Sequence, residues 1–224
     1  MDAARVLTAA GYAVTVPGGD ACCGLTWITT GQLDAARGRL VALLDVLAPH
    51  AADGIPIIGL EPSCTAVLRD DLVELLPDDA RAATVAGATR TLAEALVDPP
   101  SGWRASGLHG VEVVAQPHCH QHAVMGFAAD RTLLEAAGAR VRTIAGCCGL
   151  AGNFGMERGH YDVSVAVARN GLLPALADAA ADAVLLADGF SCRLQAEQLA
   201  GRDGLHLAQL LARTIPPVAD RSGQ

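Results

Sequence analysis

Residues 136–149, AAGARVRTIAGCCG, contain the end of a helical pattern, a short strand-like run and two adjacent cysteines. The same order of features occurs at residues 9–24, AAGYAVTVPGGDACCG. Each copy is followed by another strand-like run and a further cysteine, in Pro62-Ser63-Cys64 and in Phe190-Ser191-Cys192. Because one order of elements that occurs twice in a chain is the sign of a repeat, we interpret the sequence as an internal duplication.

Short runs typical of strands alternate with longer helical patterns along the chain. The predicted strands lie at 13–16, 55–60, 111–115, 141–144 and 183–187. The predicted helices lie at 31–47, 80–96, 123–137, 161–170 and 205–212. Alternating strands and helices predict an α/β fold with two tandem pseudo-repeats, each a small parallel sheet flanked by helices.

The two repeats are unequal in their predicted elements. A run rich in Pro and Gly at 98–110 is the predicted linker, which gives a first repeat at 1–97, a second at 111–215 and a tail at 216–224. The second repeat opens with the strand at 111–115, whereas the first repeat has no counterpart of it. By the repeat offset this strand would lie before Met1, and we therefore expect the first repeat to be truncated at its N-terminus.

Composition excludes several classes of function. The 224 residues include 24 acidic and 16 basic side chains, with a formal net charge of −8. Nucleic-acid binding is disfavoured, since phosphate neutralisation needs clustered cations. The sequence has no uncharged apolar stretch of about 18 residues and no signal-peptide pattern, so we expect a cytoplasmic protein. Because thiols stay reduced in the cytoplasm, the seven cysteines are not expected to form disulfides.

All the cysteines follow the ends of predicted strands. The carboxyl ends of parallel strands lie along one edge of a sheet, where ligands bind, so thiols that are distant in sequence are expected to converge there. The second repeat supplies a four-thiol set, Cys119, Cys147, Cys148 and Cys192. The first repeat supplies a three-thiol set, Cys22, Cys23 and Cys64. We predict that the four-thiol set binds metal, and we keep the three-thiol set as a further candidate.

The adjacent cysteines narrow the kind of metal site. Neighbouring side chains on a strand point to opposite faces, so Cys147 and Cys148 share a site only if the backbone turns there. Gly146 and Gly149 provide that freedom. Zinc ligands are usually spaced as C-x₂₋₄-C, whereas the 4Fe–4S cluster takes four thiolates. The four-thiol set therefore favours an iron–sulfur cluster, with a zinc site or simple packing of the thiols in the core as alternatives.

Other polar groups surround these cysteines. We expect His118 and His120, on either side of Cys119, to hydrogen-bond the cluster sulfurs rather than to bind iron. Gly149 is expected to let the backbone approach the cofactor closely. Glu61 and Arg193 each lie near a site cysteine, and each either faces a substrate or partner or is a solvated surface charge. The sequence assigns no catalytic residue.

The paired motifs resemble the cysteine-rich CCG domain. This domain occurs in heterodisulfide reductase, in the iron–sulfur subunits of glycolate oxidase and anaerobic glycerol-3-phosphate dehydrogenase, and in lactate-utilisation proteins. The segments that carry the resemblance are CCGLTWITTGQLDAAR, GLEPSCTAVLRDD, QPHCHQHAVMG, CCGLAGNFGMERGHYDVS and GFSCRLQAEQ. Together they resemble the C-terminal iron–sulfur region of FAD-linked oxidoreductases of the D-lactate dehydrogenase and glycolate oxidase type.

This resemblance implies an iron–sulfur electron-transfer domain or subunit of a flavin-dependent 2-hydroxyacid dehydrogenase, which passes electrons from flavin to a quinone or cytochrome. FAD and a ferredoxin-like iron–sulfur segment are expected on a missing domain or a partner chain, because this sequence contains neither. The protein would lie in the cytoplasm, or at the inner face of the membrane through its partners. The alternatives are thiol/disulfide redox chemistry at a cluster, as in heterodisulfide reductase, and a structural zinc-binding module.

Overall fold

The structure, a computed structural model, describes residues 1–18 and 21–216. The strands are β1 (Ile57–Gly59), β2 (Thr89–Thr91), β3 (Glu112–Ala115), β4 (Arg140–Thr143), β5 (Val184–Leu186) and β6 (Gly204–Leu205). The α-helices are α1 (Asp2–Ala9), α2 (Leu25–Thr29), α3 (Leu33–Ala52), α4 (Pro62–Arg69), α5 (Asp71–Leu75), α6 (Ala80–Ala88), α7 (Leu92–Val97), α8 (Ala128–Ala136), α9 (Tyr161–Ala168), α10 (Leu172–Ala177), α11 (Phe190–Ala200) and α12 (Leu207–Ala212). A π-helical turn spans Gln121–Met125 and a 3₁₀ turn spans Phe154–Met156.

The strands form two parallel sheets. The larger has the order β4-β3-β5-β6, and the smaller pairs β1 with β2. β3 is central in the larger sheet, since Val113 registers with Val141 of β4 and with Val184 of β5. Val113 is fully buried, as expected for a parallel strand covered by helices on both faces. Two small parallel sheets flanked by helices confirm the predicted fold class.

The duplication is visible in the fold. In the first half, β1 is followed by α4 and pairs with β2, and β2 is followed by α7. In the second half, β5 is followed by α11 and pairs with β6, and β6 is followed by α12. α7 and α12, the last helices of these two units, both begin with a capping box, formed by Thr91 with Glu94 and by His206 with Gln209. The reciprocal hydrogen bonds satisfy backbone donors that a helix start leaves unpaired. The two halves therefore share the topology of their carboxyl portions.

The prediction of a strand at 13–16 is wrong, because these residues form neither helix nor strand. By the repeat, this run corresponds to β4, which pairs only with β3. The first half has no counterpart of β3 among the described residues of 1–97, so the run has no strand to pair with. In consequence Cys22 and Cys23 follow a coil segment, whereas the cysteines of the second half follow true strands.

The prediction of one helix at 80–96 is also wrong in its middle. α6 ends at Ala88, β2 occupies Thr89–Thr91, and α7 starts at Leu92. Threonine disfavours a helix interior and favours a strand, because its branched Cβ restricts the side chain. The Thr91 hydroxyl then accepts a hydrogen bond from the Glu94 N–H, which starts a new helix. The apolar periodicity on both sides concealed this short strand.

One hydrophobic cluster joins the two halves. It contains Val6 of α1 and Leu96 of α7 together with Val113 of β3, Leu134 of α8 and Leu211 of α12. Segment 98–110, which has neither helix nor strand, contributes Ala105 and Leu108 to the same cluster. Two smaller clusters lie within the individual halves. The predicted tail at 216–224 lies outside the described residues except for Pro216.

None of the helices in the described residues is both long enough and apolar enough to cross a membrane.

Gly59, the last residue of β1, lies so close to the side chain of Thr65 that only glycine fits there. A Cβ at this position would lie 2.1 Å from the Thr65 Oγ1 atom of α4, and Thr65 is 1% exposed. We expect Gly59→Ala to lower the free energy of unfolding by about 1–3 kcal/mol, since the buried Thr65 has nowhere to move. Gly38→Ala is the matched control, because a Cβ there meets open space within α3. The control should stabilise by up to about 1 kcal/mol in urea unfolding, and equal losses in both variants would contradict the prediction.

Asp130 is a buried carboxyl group in the first turn of α8, with 2% exposure. Its Oδ2 atom accepts a hydrogen bond from Gln121 Nε2 at 3.2 Å. Burial, with a contribution from the charge of Asp188, raises the pKa of Asp130 to about 7. The ionised form of Asp130 therefore destabilises the folded protein at neutral and alkaline pH.

The pKa of Asp130 predicts a pH-dependent gain in stability for Asp130→Asn. Below about pH 4 the group is protonated in both the folded and the unfolded chain, and between about pH 4 and 7 the unfolded chain releases the proton first. The wild type should thus lose stability relative to the variant through this window, by on the order of 4 kcal/mol at most. Urea unfolding at several pH values measures the difference, with the exposed Asp178→Asn as control. Parallel pH profiles for wild type and Asp130→Asn would exclude this role.

Candidate metal centre

The Cys147-Cys148 pair lies in a turn that two glycines make possible. Gly146 and Gly149 both adopt left-handed backbone, with φ of +86° and +97°. A Cβ on Gly149 would lie 2.2 Å from the Ser164 carbonyl oxygen, so a larger residue does not fit. The Gly149 N–H donates to Cys147 Sγ at 3.3 Å. The turn brings both thiols of the pair into one site instead of placing them on opposite faces of a strand.

The four thiols of the second half lie close enough to one another to shift one another's pKa values. The pKa of Cys147 is lowered by hydrogen bonds first from Cys119 and then from Cys148. The pKa of Cys119 is raised first by Cys147, and that of Cys148 is raised by Cys147, by Cys192 and by burial. In space, Cys119 therefore neighbours Cys147, Cys147 neighbours Cys148, and Cys148 neighbours Cys192. These thiols come from the ends of three adjacent strands.

The last member of this set lies on a helix that the sequence reasoning did not predict. Cys192 is in the first turn of α11 and is 3% exposed, and Cys148 is equally buried. Cys147 is half-buried, and Cys119 is exposed. The set thus extends from the core to the surface.

The three-thiol set repeats this arrangement in the first half. Cys23 Sγ and Cys64 Sγ are hydrogen-bonded at 3.0 Å, and the Gly24 N–H donates to Cys22 Sγ at 3.5 Å. Gly24 has a φ of +73°, in the same left-handed region as Gly149. The hydrogen bond from Cys64 lowers the pKa of Cys23 to about 7, while the same bond and burial raise the pKa of Cys64.

His118 is buried beside Cys119, at 5% exposure. Its Nδ1 atom accepts from the His120 N–H at 3.2 Å and lies 4.0 Å from Cys119 Sγ. Its Nε2 atom lies 3.5 Å from the Ser191 hydroxyl oxygen. Burial lowers the pKa of His118, which favours the neutral ring. The Nδ1 atom of His120 is buried without a hydrogen-bond partner among the described residues.

Gln116 is a site residue that the sequence reasoning missed. It is 2% exposed, and its Nε2 donates to the Gly146 carbonyl at 3.0 Å and to the Pro117 carbonyl at 3.2 Å. It therefore ties the segment that carries Cys119 to the turn that carries the cysteine pair. A polar residue at the end of a buried strand, directly before Pro117-His118-Cys119, was the signal that could have identified it.

Glu61 and Arg193 both form hydrogen bonds with backbone groups of the protein. The Arg193 Nη1 atom donates to the carbonyl oxygens of Ala187 and Asp188, so it braces the end of β5. Glu61 Oε2 accepts from the Phe190 N–H at 3.1 Å, which links the first half to α11. Neither residue is a free surface charge.

Among residues 1–18 and 21–216, no three Cys, His, Asp or Glu side chains are arranged so that one metal ion would fit between them. The four-thiol set is a row of neighbouring sulfurs rather than a closed shell. Four donors around one centre are what a tetrahedral zinc site requires.

Comparison with known proteins gives three relatives. The chain is 28% identical over 219 residues to one subunit of anaerobic glycerol-3-phosphate dehydrogenase of Escherichia coli, in strain K12 and in O157:H7, which covers 96% of the chain and 54% of each relative. It is 28% identical over 177 residues to D-2-hydroxyglutarate dehydrogenase of Escherichia coli K12, which covers 76% of the chain and 17% of that protein. The chain is similar to parts of larger dehydrogenases. It spans about half the length of the glycerol-3-phosphate dehydrogenase relatives, and no protein-family model matches it.

The glycine of the cysteine turn gives a prediction for the site. Gly149→Ala should lower the stability of the folded protein by about 1–3 kcal/mol more than Gly152→Ala. Both positions have positive φ, but a Cβ on Gly152 meets open space, so the control isolates the strain of left-handed backbone, about 1 kcal/mol. Urea unfolding of the two apoproteins measures the difference. Equal losses would mean that the contact with Ser164 does not constrain the turn.

Proposed function

We propose that the chain is an iron–sulfur electron-transfer domain or subunit of a flavin-dependent dehydrogenase. The observation that carries the proposal is the convergence of Cys119, Cys147, Cys148 and Cys192 from three strand ends into one row of thiols. Similarity to parts of larger dehydrogenases supports the redox class.

The donor set fits a cluster better than a single zinc ion. In a 4Fe–4S cluster each of four thiolates binds its own iron atom, and the second half supplies four thiols from three neighbouring strand ends. One zinc ion needs all its ligands around one point, and the described residues offer no such group.

A bound cluster would supply one-electron transfer, and the surrounding residues would set its environment. The Gly149 N–H stabilises negative charge on Cys147, since a hydrogen bond to the charged form of a thiol favours that form. His118 fixes the segment of Cys119 against Ser191 beside Cys192. The burial of Cys148 and Cys192 excludes water from one side of the set. Hydrogen bonds to sulfur and solvent exposure are the features that tune the reduction potential of such centres.

The three-thiol set is proposed as a second metal site. Cys22, Cys23 and Cys64 repeat the geometry of Cys147, Cys148 and Cys192, including the donation from a glycine N–H to the first thiol. Cys119 has no counterpart among the described residues of the first half. A fourth ligand to this set would come from outside those residues.

The proposal extends to the substrate and to the partners of the chain. We propose a 2-hydroxyacid dehydrogenase of the D-lactate or glycolate type, in which FAD on another domain or subunit delivers electrons to this chain. The acceptor would be a quinone or a cytochrome, reached directly or through a ferredoxin-like iron–sulfur domain. The likeness to D-2-hydroxyglutarate dehydrogenase favours a 2-hydroxyacid. The protein would lie in the cytoplasm, or at the inner face of the membrane through partners.

Anaerobic reconstitution with iron and sulfide tests the proposal. We expect a brown protein with about four iron atoms per chain at the four-thiol set, and an electron paramagnetic resonance signal on reduction. Serine at Cys119, Cys147, Cys148 or Cys192 should remove most of that iron, whereas Cys22→Ser should remove only iron held by the three-thiol set and leave these four iron atoms in place.

Two results would contradict the proposal. One is a colourless protein that holds a single zinc ion after anaerobic purification, which is the result expected of a structural zinc module. The other is direct oxidation of the reduced protein by a disulfide without flavin, which is expected of chemistry like that of heterodisulfide reductase. Circular dichroism of every variant distinguishes loss of metal from loss of fold.

A further inference from the structure

Glu61 connects the two halves at the thiol sites. It immediately precedes α4, the helix that carries Cys64. Its Oε1 atom accepts from the Ser63 hydroxyl at 3.0 Å, and its Oε2 atom accepts from the Phe190 N–H at 3.1 Å. Phe190 is the first residue of α11, the helix that carries Cys192. A carboxylate of the first half therefore caps a helix of the second half.

The repeat explains why α11 needs a cap from elsewhere. Glu61 and Gly189 hold equivalent positions, directly before the helices that carry Cys64 and Cys192. Gly189 offers no side chain to cap α11, and a Cβ there would lie 2.3 Å from the His118 Cδ2 atom. The space that a capping side chain would occupy is thus taken by the ring of His118. The backbone donor at the start of α11 is paired with Glu61 instead.

A second hydrogen bond holds the same contact together. His206 Nδ1 accepts from the Ala208 N–H at 2.9 Å, so the ring proton lies on Nε2, which donates to the Leu60 carbonyl at 2.8 Å. Leu60 is the neighbour of Glu61, and His206 is the capping residue of α12. Leu60 and Glu61 are therefore each hydrogen-bonded to the second half.

The charge of Glu61 lies at the start of the helix that carries Cys192. Its Oε2 atom is 3.1 Å from the Phe190 nitrogen, two residues before Cys192. A negative charge acts more strongly between buried groups than in water.

We propose that Glu61 is a positioning residue that clamps the N-terminus of α11 from the first half, and so fixes Cys192 relative to the other three thiols. Its charge also opposes the addition of an electron to the four-thiol centre and makes that centre a stronger reductant. The clamp concerns the apoprotein, whereas the effect on reduction rests on the proposed function.

Two substitutions separate the hydrogen bond from the charge. Glu61→Gln keeps an oxygen that accepts from the Phe190 N–H and an amide that donates to Ser63, but it removes the charge. Glu61→Ala removes both. Glu197→Gln is the matched control, because it removes an exposed acidic charge from the other end of α11.

The clamp is tested on the apoprotein of residues 1–224 under anaerobic reducing conditions. Peptide-resolved alkylation reports access to Cys192, and hydrogen–deuterium exchange reports the first turn of α11. We expect Glu61→Ala to increase both rates by about fivefold or more, as the loss of one charge-assisted hydrogen bond implies. Glu61→Gln and Glu197→Gln should stay within about twofold of the wild type. Rates for Glu61→Ala equal to those of Glu197→Gln would overturn the clamp.

The effect of charge is tested on reconstituted protein by a redox titration followed by electron paramagnetic resonance. We expect the midpoint potential of both Glu61 variants to shift to more positive values, with no shift for Glu197→Gln. An unchanged potential in Glu61→Gln would overturn the electrostatic role. If the wild type takes up no iron, the proposed function fails and the electrostatic role fails with it, while the alkylation and exchange rates still decide the clamp.

Discussion

The thiol sites depend on backbone that turns in the left-handed region at the cysteine pairs. Side chains at consecutive positions of an extended chain diverge, so a Cys-Cys pair can serve one centre only where the chain reverses. Gly24 and Gly149 make that reversal, and each donates its N–H to the first thiol of its pair. The same short motif therefore bends the chain and stabilises charge on sulfur.

Both halves contain this motif because of the duplication, but the structure around the motif differs between them. Within the described residues, only the second half has a central strand, β3, that leads into His118 and Cys119. That strand pairs with β4, supplies a fourth thiol and supplies the buried ring that occupies the space above Gly189. The first half retains the cysteine turn without this strand. Its Glu61 extends instead to the helix that lacks a cap.

Sequence patterns recovered the parallel α/β architecture because strand and helix periodicities differ clearly in this chain. They failed where tertiary pairing decides the outcome. The run at 13–16 has strand composition but no strand beside it, and β2 is too short to interrupt the apolar pattern of the helices around it. The grouping of the cysteines was predicted from their positions after the ends of predicted strands. The roles of Gln116 and Glu61 were not, since a hydrogen bond between distant segments leaves no local periodicity.

The hydrophobic cluster shared by the two halves has a consequence for how electrons would pass through the molecule. α1 and α7 of the first half are buried in the same core as β3, α8 and α12 of the second. Relative motion of the halves would have to break that core, so the separation between the two thiol sets is a fixed property of the fold. Electron tunnelling falls steeply with distance, so two clusters bound as proposed would exchange electrons across a constant gap. Under that proposal, control over the flow of electrons would come from partners that dock at the surface, where Cys119 and Cys22 are exposed.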